Sequence, residues 1–193
     1  SYSKHLLSGK TLPIAFHGTF AFRAAVVNTQ TFTLPVQRGF SRLATVYWKF
    51  IDTDPTKKQL TNWPHPIAGG ASYLDTDTYE WHIVVGSETY PIFRCSSVQE
   101  SWYRLRLASM IHNGTDSFSI SPSQFRTDKY IQGVNLEKTP GAAAHTGIST
   151  RNGSQMTLEF KNIGTSASID EILVILHYEA ICEISSAGCN VLD

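Results

Sequence analysis

The chain has 193 residues, of which 41% are apolar, 11% aromatic and 17% charged, the last well under the roughly 25% usual for soluble domains. Sixteen Lys and Arg balance sixteen Asp and Glu, so the formal net charge is zero. That balance excludes a protein built mainly to coat a phosphate backbone, which needs clustered, uncompensated cations, and no direct nucleic-acid binding is expected. No basic arm appears: the first ten residues carry only Lys4, His5 and Lys10, and the last residue is Asp193. No apolar run approaches the roughly eighteen residues of a membrane span and no signal-peptide pattern is present, so no span is expected. The chain begins at Ser1 rather than Met, which reads as a trimmed protein or a piece of a longer one. This length predicts one domain, 1–193. A surface poor in charge and rich in aromatics fits a crowded assembly, since aromatic residues are enriched in interface cores.

Residues 1–19 read as an extension or linker; 20–184 carry the sandwich, and 185–193 a tail. Within the sandwich, period-2 alternation dominates. Strands are predicted over 20–27 and 31–36, with Phe32, Leu34 and Val36 alternating against Thr31, Thr33 and Pro35. Pro35 cannot donate to a ladder and belongs at an edge or a strand end. The next strand spans 43–51. Residues 79–85 and 88–93 face each other across Gly86-Ser87, a two-residue hairpin signal. Ser97-Val98-Gln99-Glu100 reads as a capping box, and the spacing of Val98, Trp102 and Leu105 predicts a helix over 98–111. Strands over 129–136 and 155–161 follow. The last, 172–184, places Ile172, Val174, Leu176, Tyr178, Ala180, Cys182 and Ile184 on one face, and is expected to be central and buried in its first half. About eight strands, one helix and two long loops (52–73 and 140–152) give an all-β, eight-stranded antiparallel jelly-roll sandwich with one short helix. Both loops are weakly charged, which points to burial against neighbouring subunits.

Chemistry-bearing motifs are sparse, and the expected catalytic, cofactor and metal residues are none. The seven histidines (5, 17, 65, 82, 112, 145 and 177) lack any HxH or HExxH spacing. His82 and His177 both lie on strands, the arrangement a cupin-like metal enzyme would need, but rim or satisfied core histidines are the simpler reading. Asp52/Asp54 and Asp75/Asp77 are loop carboxylates at i, i+2 that read as solvated turns rather than Ca²⁺ ligands. Asn113-Gly-Thr115 and Asn152-Gly-Ser154 match glycosylation sequons and read as Asn-Gly turns. Cys95, Cys182 and Cys189 form no disulfide framework and no CxxC pair; Cys182, within an apolar strand, reads as a small core hydrophobe. The eight arginines Arg23, Arg38, Arg42, Arg94, Arg104, Arg106, Arg126 and Arg151 offer pairs across subunits, and Trp48, Trp63, Trp81 and Trp102 divide between core and interface.

Four ordered blocks add a resemblance: Ile131-Gln-Gly-Val-Asn-Leu-Glu-Lys138, Gly147-Ile-Ser-Thr-Arg-Asn-Gly153, Leu176-His-Tyr-Glu179 and Gly188-Cys-Asn-Val-Leu-Asp193. Together with Leu34-Pro-Val-Gln-Arg-Gly39 and Arg42-Leu43, they resemble the C-terminal jelly roll of the double-jelly-roll major capsid proteins of Polinton-type elements, adintoviruses and related small eukaryotic DNA viruses. Asn135 and Glu179 stand where that family has Asp. The resemblance implies a non-enzymatic capsid subunit, located in the virion and assembled in the host nucleus or cytoplasm. Its implied partners are copies of itself, in trimeric or pseudo-hexameric capsomers of an icosahedral shell, and other capsid proteins such as a penton protein. It leaves open whether this is one half of a double jelly roll or a single-jelly-roll relative. A carbohydrate- or receptor-binding β-sandwich and a cupin-like metal enzyme are the rival readings.

Overall fold

The computed structural model describes residues 8–26, 31–52, 54, 63–66, 79–110, 118–139, 146–151, 153–163 and 169–192. Among these lie strands β1 (Leu12–Ala25), β2 (Thr31–Pro35), β3 (Leu43–Asp52), β4 (Glu80–Val85), β5 (Glu88–Cys95), β6 (Gln132–Asn135), β7 (Met156–Lys161), β8 (Ile169–Ser185) and β9 (Gly188–Leu192). Helices α1 (Val98–Ala108) and α2 (Pro122–Thr127) complete the set. One sheet runs β1-β8-β3-β6, with β9 also on β8; the other runs β2-β7-β4-β5. All the ladders are antiparallel. The chain passes from one sheet to the other at most connections, so among the described residues only β4/β5 and β8/β9 pair as sequence neighbours. That exchange is the jelly-roll sandwich expected from the alternation.

The same period builds the core. In β7, Met156, Leu158 and Phe160 are buried while Thr157, Glu159 and Lys161 are half-exposed. In β8, Ile172, Val174 and Leu176 are fully buried, and the strand lies between β1 and β3, central as expected. Aromatic rings fill the middle of the sandwich. Trp48 meets Trp81 edge-on at 5.0 Å and Phe160 at 5.7 Å, and Phe50 meets Phe160 at 6.0 Å, the edge-to-face geometry that ring quadrupoles favour. Both indole N–H groups are satisfied: Trp48 donates to the Tyr79 hydroxyl (3.2 Å) and Trp81 to Ser101 Oγ (3.1 Å). Burial raises the pKa of Tyr79 despite that bond. Trp48 and Trp81 are therefore core residues. Trp102 is partly buried against Phe118 and Phe125, and Trp63 lies beneath the Lys49 ammonium, 4.6 Å from its ring centre.

Helix α1 joins the two sheets. Its Ser101 hydroxyl accepts from Trp81 of one sheet, and its Ser101 carbonyl accepts from Gln132 Nε2 of the other at 3.1 Å. The helix sits close against β6 because residue 133 has no side chain. A Cβ there would come within 2.7 Å of the Tyr47 ring and 2.8 Å of Ala108 Cβ. Gly147, in the second of the capsid-like blocks, passes directly over the backbone of Arg42 and Leu43, where a Cβ would sit 2.8 Å away. Its neighbour Ile148 then pairs with Leu43 in both directions.

The capping at Ser97 is one-sided. Ser97 Oγ accepts from the Glu100 N–H at 3.1 Å, but the Glu100 carboxylate turns forward to Arg104 (2.6 and 2.8 Å) instead of back to Ser97. The reciprocal box lies at α2, which the alternation does not reveal: Ser121 and Gln124 exchange both bonds around Pro122 at the first helical position. Six residues are too few to display a helical period, so the cap is the only sequence signal there. Likewise β1 starts at Leu12, inside the stretch read as extension, and the tail forms β9.

The cysteines correct the sequence expectation. Cys182 and Cys189 are disulfide-bonded across the β8–β9 hairpin, with Cα atoms 6.2 Å apart. Spacing alone did not show that the chain folds back between them. Cys182 is half-buried in the ribbon rather than in the core, while Cys95 is free and buried. Burial pushes the Cys95 thiol up to about 12.

Part of the first long loop packs on its own sandwich. The Trp63 amide donates to the Asp128 carbonyl, and its carbonyl accepts from Tyr130. His65 is 4% exposed, edge-on to Tyr130 at 4.7 Å. Burial, aided by Arg126, pushes the His65 pKa down to about 4 from 6.5. An unfolded chain therefore binds a proton at this site between these values when the folded chain does not. The resulting stability is fully present above about pH 6.5, falls with pH down to about 4, and amounts to about 3 kcal/mol. In urea titrations, wild type is expected to lose this increment between about pH 7 and 4 relative to His65→Phe, which keeps the ring without the titration. Parallel pH profiles for the two proteins would show that His65 is solvated.

Candidate assembly surfaces

The structure does not bring the strand histidines together. His82 is on β4, with Nε2 3.0 Å from Glu159 Oε2. Burial, and Arg94 beside it, lower its pKa; Glu159 opposes them. His177 is on the outward face of β8, edge-on to Tyr47 at 5.5 Å, with its own pKa lowered by burial and by His17. Among the described residues no three His, Cys, Asp or Glu side chains cluster in metal-holding geometry. Asp52 Oδ1 accepts from the Asp54 amide at 2.9 Å, a local turn, but Asp52 is the buried last residue of β3 rather than a solvated loop carboxylate. Asp75, Asp77, both sequon asparagines, Ile111 and most of the two long loops lie outside the described residues. The described end of the second loop is tied inward: Thr150 Oγ1 accepts from the Phe40 amide at 2.8 Å.

Several arginines are engaged within the chain. Arg23 lies 3.7 Å from Glu171, Arg94 2.8 Å from Glu159 and Arg104 2.6 Å from Glu100. Arg38 stands over the rings of Phe20, Phe40 and Tyr178 at 5.0–5.1 Å, a cation–π arrangement. It helps line a half-open groove of about 460 Å³ between β1 and β2, floored by Phe20, Phe22, Leu34 and Pro35. The groove shows that β1 and β2 flank the same side of the sandwich, which places β5 and β6 at the other.

Two apolar features protrude. Beyond Tyr178, β3 no longer pairs with β8, and β9 takes its place. The β1–β8–β9 ribbon then runs on for roughly seven residues, about 23 Å. Register puts Ile14, Cys182 and Val191 in one row, with Leu12, Ile184 and Cys189 in the next and Phe16 beside Ala180. These residues continue the core face of β8 and include no charge. Cover fades along it: Ala180 is fully buried, Phe16 is 37% exposed, Ile14 45% and Val191 52%.

The second feature is on β5. Trp81 pairs with Cys95 and Ile83 with Tyr90, so the single residue His82 faces the four residues 91–94. The surplus lifts Ile92 and Phe93 off the sheet, 81% and 83% exposed. The base of this bulge is held by Arg94, whose Nη2 donates to Glu159.

No protein-family model and no curated protein matches the chain. Solved structures do. PBCV-1 VP54, fitted into a reconstruction of the virophage Sputnik, matches over 93% of this chain with a TM-score of 0.55 and 10% identity. Its fold is shared with a virus capsid. A quasi-atomic structure of the PBCV-1 capsid matches over the same 93%, with a TM-score of 0.51 and 11% identity. The chain spans about half of each, 51% of their length.

Proposed function

We propose that this chain is a structural capsid protein without a catalytic site, assembling with copies of itself into trimeric or pseudo-hexameric capsomers of an icosahedral virion shell. The observation that carries the reading is the jelly roll shared with the PBCV-1 capsid structures along 93% of the chain. The low charge, and apolar side chains exposed at the ribbon and the bulge, support it, because single-sided apolar patches mark contact sites. The ordered blocks from Ile131 to Asp193 favour the C-terminal half of a double jelly roll, with a penton protein as a further partner. Residence in the virion follows from the same reading, with assembly in the host nucleus or cytoplasm.

Purified particles test it. Quantitative mass spectrometry is expected to find this chain among the most abundant virion proteins, and electron microscopy to place its density in the shell. A chain absent from particles, or a monomer that binds glycans on an array, would replace this function with the receptor-binding one.

A further inference from the structure

The ribbon face and the β5 bulge lie at opposite edges of the sandwich, because β1 borders β2 while β5 is at the far end of the second sheet. One molecule cannot close them on each other. Two can. Ile92 and Phe93 project from a base pinned by Arg94 and Glu159, whereas Ile14, Phe16 and Val191 form an open, uncharged sheet face. We propose that the Ile92–Phe93 bulge of one copy seats on the ribbon face of the next, joining copies head to tail.

The occupant is a second copy because this chain supplies both halves of the contact: a protruding apolar pair and an apolar face, neither bearing a charge that needs a partner. Patches at different places on one molecule make a heterologous contact, which closes into a ring when the rotation permits. Two large side chains bury roughly 300 Å², less than the roughly 800 Å² per partner of a stable pair. A single contact is therefore weak, and a closed ring gains by repeating it. The inference rests on the capsid reading and adds to it which surfaces meet.

Sedimentation velocity of wild type, Phe93→Asp, Ile14→Asp and an equimolar mixture of the two variants tests the proposal. All the altered side chains are at the surface, so unchanged thermal melts are the control for folding. Wild type is expected to associate as concentration rises, and each variant alone to associate about thirtyfold or more weakly, the loss typical of removing a central contact residue. The mixture is diagnostic. The intact bulge of Ile14→Asp fits the intact ribbon of Phe93→Asp, so at the highest concentrations the mixture is expected to associate more than either variant alone, into a weak one-to-one heterodimer that goes no further. Variants that assemble like wild type overturn the proposal, as does a mixture no more associated than either variant alone at the highest concentration, or a loss confined to Ile14→Asp. Wild type that remains monomeric throughout also overturns it. The capsid reading is judged separately, by presence in particles.

Discussion

Leu176→Asp is expected to abolish the folded state. Leu176 is fully buried on the core face of β8, opposite Val46 of β3 and Phe20 of β1. A carboxylate there is taken out of water among apolar side chains, and its desolvation costs several kcal/mol even after a shift of its pKa. Loss of the leucine adds roughly 3–5 kcal/mol of transfer and cavity terms. Together these are comparable to the whole stability of a typical domain, about 5–15 kcal/mol. The check is circular dichroism with urea titration, and the expected outcome is insoluble protein or a spectrum without cooperative unfolding. His177→Asp, one position on and facing outward, is the control and should fold. A soluble Leu176→Asp protein with the wild-type urea midpoint would mean that β8 presents its other face to the core.

Trp81→Ala comes next in size, at about 3–5 kcal/mol. The indole is fully buried, meets Trp48 edge-on and donates to Ser101, the residue through which α1 grips both sheets. Truncation leaves a ring-sized cavity and removes that link at once. Trp81→Phe keeps an edge-on ring contact but not the donor, and should cost roughly half as much, with Ser101 still close to Cys95 Sγ at 3.2 Å. Denaturant midpoints measure both. If alanine costs under about 1 kcal/mol, the site collapses around the gap and the aromatic cluster is not the mechanical centre of the fold.

The candidate surfaces were only half legible in advance. In Tyr90-Pro-Ile-Phe-Arg94 the proline marks an edge or a bulge, but the number of surplus residues shows only once β4 supplies a register. Residues Leu12–Gly18 alternate no less than later strands, but their apolar face gains meaning only when β8 and β9 extend it past the second sheet. The long loops drew attention instead because of their composition. Their described ends are occupied by the sandwich itself, through Trp63, His65 and Thr150.

By itself the amino-acid order determined the class of fold. Period-2 burial in Met156–Lys161 and Ile172–Leu176, the hairpin at Gly86-Ser87, and the helix after Ser97 are local facts of spacing and turn chemistry that survive any arrangement of the sheets. Tertiary structure alone decided which strands pair, because jelly-roll neighbours such as β1 and β8 are separated by most of the chain and any two amphipathic strands are chemically compatible. It also joined Cys182 to Cys189 and sent Glu100 to Arg104. Finally, it left one stretch of apolar sheet uncovered, since exposure depends on where the opposing sheet ends, and no strand encodes the length of the sheet that will cover it.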